Sequence, residues 1–183
     1  WGEPQAGTVP SGLSDVNAIY SSYGAFAALK NDGTVVAWGG SGAGGTAPGG
    51  LSNVNIIHSN LYAFAALKSD GTVVAWGDPD EGGTAPSGLN DVKEIYSSWY
   101  SFAALKNDGT VVTWGNSSKG GDSSSVQSEL VSVYDITYGN YGYKGKNISS
   151  TVPNPTPLIQ PPPPPPPPPP HFNPHMAFDM SLG

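Results

Sequence analysis

The stretch AFAALKNDGTVVAWG, residues 25–39, decides how this chain folds. Phe26-Ala27-Ala28-Leu29 is a short apolar run of strand length. Asn31-Asp32-Gly33 is a hairpin turn, with Gly33 supplying the positive φ that other residues resist. Thr34, Val35, Val36 and Trp38 form the returning strand, β-branched and aromatic as strands prefer. The same text recurs as AFAALKSDGTVVAWG at 63–77 and SFAALKNDGTVVTWG at 101–115. Phe26, Phe64 and Phe102 are 38 apart, as are Gly33, Gly71 and Gly109. Near-identical copies at a fixed period mark a repeat architecture.

Outside this stretch, each unit carries a Gly- and Pro-rich loop after its Trp-Gly pair, which begins at Trp1, Trp38, Trp76 and Trp114. Leu-x-x-Val-x-x-Ile follows, as Leu13, Val16, Ile19, then Leu51, Val54, Ile57, then Leu89, Val92, Ile95. A turn rich in Ser, Asn and Tyr leads into the Phe-Ala-Ala-Leu strand. A fourth unit keeps Leu130, Val133 and Ile136, and Tyr143 stands near the position of Phe102. Beyond Tyr143 the side-chain pattern is lost. The chain thus opens in mid-unit at Trp1, without an initiator Met, as a processed product or a fragment does.

Gly (25) and Pro (19) are abundant and only 11% of residues are charged, which suits a turn-rich β protein. The expected fold class is all-β. It comprises about four short antiparallel β-meander units, propeller-blade-like and open or closed by neighbours, plus an extended polyproline II tail. The expected domains are a repeat domain over 1–150, a Pro-rich linker over 151–160, a polyproline II rod over 161–170 and a C-terminal tail segment over 171–183. A net charge of −7 argues against nucleic acid and anionic membrane surfaces as partners. No apolar run approaches the roughly 18–20 residues of a membrane span. With no cysteine, disulfides and thiolate metal sites are excluded.

The run FAALKNDGTVVAWG and its copies resemble the repeats of regulator-of-chromosome-condensation-like (RCC1-like) β-propellers, of the short type found in microbial and algal proteins. The resemblance covers roughly residues 1–145. It implies blades of antiparallel strands around an axis, with partner binding on a face. This unit is shorter than the usual repeat and lacks the Gly-Gln-Leu-Gly motif, so chromatin binding and nucleotide exchange do not transfer with it.

Residues for catalysis are sparse, and neither an enzyme nor a cofactor is expected. His58 aligns with Tyr20 and Tyr96 and is expected to be a half-exposed strand residue. His171, His175 and Asp179 are spaced four apart, but Pro174 opposes the helix that would align them. Asp78, Asp80 and Glu81 lack the calcium-loop spacing and are expected to form a solvated acidic loop. The Trp-Gly tryptophans are expected in the core. Trp99, beside Tyr100, is either an exposed contact or a gap filler. Asn116-Ser117-Ser118 and Asn147-Ile148-Ser149 are sequons, which makes Asn116 and Asn147 candidate glycosylation sites in a secreted chain.

Ten prolines, Pro161, Pro162, Pro163, Pro164, Pro165, Pro166, Pro167, Pro168, Pro169 and Pro170, are expected to form a polyproline II rod about 31 Å long. Such a rod serves as a spacer, as a ligand for an aromatic groove, or, by resemblance to hydroxyproline-rich extracellular glycoproteins, as a site of hydroxylation and sugars. After it, Phe172, then Met176, Phe178, Met180 and Leu182, supply apolar anchors, the last four alternating as a strand added to a sheet edge would. With Trp1 and Trp99 these are the candidate assembly residues. The expected function is that of a structural subunit of a secreted glycoprotein polymer or surface filament, extracellular or at the cell surface. It would assemble with copies of itself and carry covalent glycans. The alternative is a soluble propeller-type binding module with a proline-rich linker.

Overall fold

Valine, alanine and aromatic residues alternate with Asx-Gly turns closely enough that each unit folds back on itself twice. The computed structural model describes residues 7–139 and 142–147, with side chains as far as Val133. Three meanders of three strands follow one another. The first holds β1 (Val16–Ser21), β2 (Ala25–Lys30) and β3 (Val35–Gly39). The second holds β4 (Val54–Ser59), β5 (Ala63–Lys68) and β6 (Val73–Gly77), and the third β7 (Val92–Ser97), β8 (Ser101–Lys106) and β9 (Val111–Gly115). In each, the middle strand pairs antiparallel with both others. A fourth unit contributes the pair β10 (Val133–Gly139) and β11 (Gly142–Asn147). The compact unit spans Trp1–Thr151. Residues 151–183, with the linker, rod and tail segment expected there, lie outside the described residues.

Register is the same in all units. Val16, Val54 and Val92 oppose Lys30, Lys68 and Lys106, and a β-bulge follows each Val. Phe26, Phe64 and Phe102 oppose Trp38, Trp76 and Trp114. Their rings stack, with centroids 5.5, 5.3 and 5.3 Å apart. In the fourth unit the backbone continues the scheme further than its side chains do. Val133 opposes Asn147, with the bulge after Val133 retained. The pattern is lost in residue type beyond Tyr143, yet strand pairing runs on to Asn147, because it uses backbone N–H and C=O groups that every residue here has.

The hairpins are as the sequence predicts. Gly33, Gly71 and Gly109 have φ of 77°, 78° and 80°. Each closes a three-residue loop in which its own N–H donates to the carbonyl of Lys30, Lys68 or Lys106 at 3.0 Å. The Asp of each turn accepts from the Thr two residues on, through both N–H and Oγ1. These bonds to the ionised form hold the carboxyls of Asp32, Asp70 and Asp108 below the usual carboxylate range.

The turn glycines also join one unit to the next. Val54, Val92 and Val133 N–H donate to the carbonyls of Gly33, Gly71 and Gly109 at 3.0, 3.0 and 2.9 Å. The residue before each Val is Asn53, Asp91 or Ser132, held at φ of 56–58°, as is Asp15 in the first unit. Asx residues tolerate this left-handed region better than most. A second tie comes from tryptophan. Trp76 Nε1–H donates to Gly44 O (2.9 Å) and Trp114 Nε1–H to Gly82 O (3.0 Å), so each Trp-Gly loop grips the following unit.

The core lies between units rather than within one. The first unit supplies a back of small residues and a leucine, Ala25, Ala27 and Leu29. Against it packs the front of the second, with Leu51, Val54, Ile57, Phe64 and Trp76. The second interface repeats this with Ala63, Ala65 and Leu67 against Leu89, Val92, Ile95, Phe102 and Trp114. Ala103, Leu105 and Val133 continue it toward the fourth. Each large side chain covered in this way contributes roughly 1.5–3 kcal/mol as an upper bound.

Candidate binding surfaces

The front of the first unit is made of the same residue types as the other fronts, yet no described residue covers it fully. Ile19 is 58% exposed, whereas Ile57 and Ile95 are 1% exposed. Val16 and Phe26 are partly buried, where Val54, Val92, Phe64 and Phe102 are buried. Trp38, on the same face, is buried, so among the described residues this front is open at Ile19 and partly covered elsewhere.

The second surface lies at the turns between the first and second strands of the units: Ser22-Tyr23-Gly24, Asn60-Leu61-Tyr62 and Ser98-Trp99-Tyr100. Their backbones are linked across units. Tyr23 N–H donates to Leu61 O (2.9 Å), and Leu61 N–H to Trp99 O (3.1 Å). Each turn is also tied to the loop that follows its own unit. Ser22 Oγ–H donates to Ala43 O (2.7 Å), Asn60 Nδ2–H to Glu81 O (2.6 Å) and Ser101 Oγ–H to Lys119 O (2.9 Å). The aromatic rings of the turns consequently neighbour one another from unit to unit. Tyr23 and Tyr62 have centroids 6.2 Å apart, and Tyr62 and Tyr100 stack at 6.4 Å. Trp99 meets Tyr100 edge-on, also at 6.4 Å. Tyr23 is 64% and Trp99 47% exposed.

Trp99 is exposed and does not fill an interior gap. Asn116 caps the 3-10 turn Ser117–Lys119. Its Oδ1 accepts from Ser118 N–H (3.1 Å) and Oγ–H (2.8 Å), and its Nδ2–H donates to Glu81 Oε1 (3.2 Å). Asn147 closes β11, and its side chain lies outside what the structure describes. Trp1, Pro161–Pro170, Phe172, Met176, Phe178 and Met180 lie outside the described residues altogether, as do His171, His175 and Asp179.

Two expectations are corrected. His58 is not half-exposed: it is buried, and desolvation pulls its imidazole down to about 4. The acidic loop is only partly solvated. Asp80 is exposed, but Glu81 is half-buried against the next unit's loop, with Oε2 buried and unbonded among the described residues. Among the described residues no group of three or more His, Asp or Glu is placed to hold a metal ion, and no helix is long and apolar enough to cross a membrane. The ring arrangement was not foreseen. Tyr62 and Tyr100, 38 apart, were its visible signal.

Three-stranded antiparallel units that bury their cores against one another define a propeller-type repeat protein. More particularly, residues 92–120 match the family described as regulator of chromosome condensation (RCC1) repeat, and the chain carries RCC1-like repeats. Solved structures resemble parts of the chain. The ectodomain of the Physcomitrella patens receptor kinase CR4 matches at 21% identity with a TM-score of 0.52, over 75% of this chain and 36% of that one. Human WBSCR16 matches at 18% identity and a TM-score of 0.47, over 61% of this chain and 39% of that one. Prp20p from Saccharomyces cerevisiae matches at 18% and 0.45, over 58% and 34%. The chain thus spans well under half the length of each. No curated protein matches it by sequence.

Proposed function

We propose that this RCC1-like repeat module is a binding module whose first unit accepts on its front a further unit of the same design, which a second copy can supply head to tail. One observation carries the reading: Ile19 is 58% exposed at a position where Ile57 and Ile95 are 1% exposed. Front and back are different surfaces, so the contact is heterologous, and repetition of it extends into a filament rather than closing a two-fold dimer. The three Ala-Ala-Leu backs of a copy are each covered by its own next unit, so the back it offers to this front is that of its fourth unit. At a net charge of −7 copies repel one another, and salt screens that repulsion.

Light scattering across a concentration series tests this. The wild-type mass is expected to rise above the 18.8 kDa chain as concentration increases. Ile19→Asp places a charge on the open front, and is expected to weaken association by about tenfold or more while leaving the melting midpoint nearly unchanged. A wild type that stays monomeric throughout, or a variant that assembles equally well, refutes the proposal.

The finer reading, a secreted and glycosylated polymer subunit at the cell surface, draws support from the sequons at Asn116 and Asn147 and from the ten-proline run. On this reading protein from its native source has an intact mass above 18.8 kDa. A native mass equal to the bare polypeptide removes it.

A further inference from the structure

We infer that the set of neighbouring rings Tyr23, Tyr62, Tyr100 and Trp99 is a docking platform for a proline-rich segment in the polyproline II conformation. This surface is separate from the open front, and the inference does not depend on head-to-tail association.

The platform is built, not incidental. Three consecutive units contribute to it, and backbone hydrogen bonds from Tyr23 to Leu61 and from Leu61 to Trp99 fix the turns relative to one another. Successive tyrosine ring centroids lie 6.2 Å and then 6.4 Å apart. A polyproline II helix presents the same face every third residue, about 9.3 Å apart, and a ten-residue run of about 31 Å is long enough to cover all three tyrosine rings. None of the nine residues in the three turns is charged, which suits an uncharged ligand.

Hydrogen-bonding chemistry matches as well. Among the described residues, the hydroxyls of Tyr23, Tyr62 and Tyr100 and the indole N–H of Trp99 make no hydrogen bond. These are donors set beside apolar ring surface. A proline run presents the complement: carbonyl acceptors, no N–H donors, and pyrrolidine rings that pack on aromatic faces. Being stiff before it binds, it loses little entropy on docking. The occupant is a decaproline-type segment, and the run Pro161–Pro170 of a second copy supplies one at equal concentration.

The test is fluorescence anisotropy of a labelled decaproline peptide titrated with the full chain, in which residues 161–170 are replaced by alternating Gly and Ser to remove competition from the chain's own run. Saturable binding is expected, and an alternating Gly-Ser ten-residue peptide is expected not to bind. Trp99→Ala and Tyr23→Ala, both at exposed positions, are expected to weaken binding about fivefold or more each, with unchanged melting midpoints. No saturation up to about 1 mM peptide, or full binding by both variants, overturns the inference. Saturation by a soluble oligosaccharide in the absence of peptide binding also overturns it and reassigns the platform to sugars.

Discussion

Gly77→Ala is expected to destabilise the repeat domain by about 3–5 kcal/mol, a large part of the stability of a domain this size. Gly77 has φ of 117°, outside the region that side chains accept readily. A Cβ there would sit 2.7 Å from Ala63 Cα, and closer still to Tyr62 O. Both atoms are backbone: Ala63 begins β5 and lies opposite Gly77 in the ladder, and Tyr62 ends the turn before it. They cannot withdraw without breaking that pairing or shifting the turn that carries Tyr62. Gly71→Val provides the contrast. Its φ of 78° is also unfavourable, but the nearest atoms lie at 3.4 Å, an ordinary contact. Its cost is expected to be about 1–2 kcal/mol, from backbone strain alone. Urea unfolding of the two variants and the wild type measures the difference. Equal costs would show that the close approach at Gly77 is relieved by movement and that the strand ends are not rigidly placed.

The second large effect is on pH dependence. His58 lies in β4, buried, with its imidazole held down to about 4 by desolvation. In the unfolded chain it titrates near 6.5. Above pH 6.5 both states hold it neutral and it contributes no pH dependence. As pH falls, the unfolded chain takes up a proton that the folded chain refuses until about pH 4. Stability present above pH 6.5 is therefore lost progressively between pH 6.5 and 4, by about 3 kcal/mol in all. His58→Phe removes the titrating group and is expected to flatten the stability curve across that window. The turn carboxyls of Asp32, Asp70 and Asp108 act lower down. Their folded-state values are depressed, so what they add is present above the carboxylate range and fades as pH falls through it. Thermal melts of wild type and His58→Phe from pH 7 to pH 4 separate the two effects. A wild-type curve as flat as that of the variant would mean that His58 reaches water.

Much of the fold was legible because three copies of one text must obey one geometry. The Asp-Gly hairpins, the facing Phe and Trp, and the Leu-x-x-Val-x-x-Ile strand all follow from it. What escaped the sequence depended on neighbours in space. His58 shares its repeat position with Tyr20 and Tyr96, and the analogy to tyrosine suggested an exposed tip. The shorter imidazole stays buried instead. Glu81 reads as part of a solvated acidic loop until the next unit's Asn116 is seen to lie against it. The ring arrangement is harder still. Tyr23 occupies the position of Leu61 and Trp99, yet its ring meets that of Tyr62, one residue out of register. Only the inter-unit hydrogen bonds of the turns bring those side chains together. The left-handed residues Asp15, Asn53, Asp91 and Ser132 were readable in principle, since each precedes the strand's Val with a short polar side chain. The open front of the first unit could not be read at all, because Leu13, Val16 and Ile19 are the same residue types as their buried counterparts. Exposure there is set by what packs against the unit, not by its own sequence.

The claim that this front is a binding face has a direct test, helped by the absence of native cysteine. A trace of Ile19→Cys chain, whose thiol is the single one present, is reacted with a maleimide while unlabelled wild-type chain is added in increasing excess. If the front receives a unit of another copy, labelling slows as wild type is added, by about tenfold or more at saturation. Under the same conditions a control thiol at Asp32→Cys, on an exposed hairpin, reacts at a constant rate. A labelling rate at position 19 that stays constant at every concentration of wild type would contradict the account.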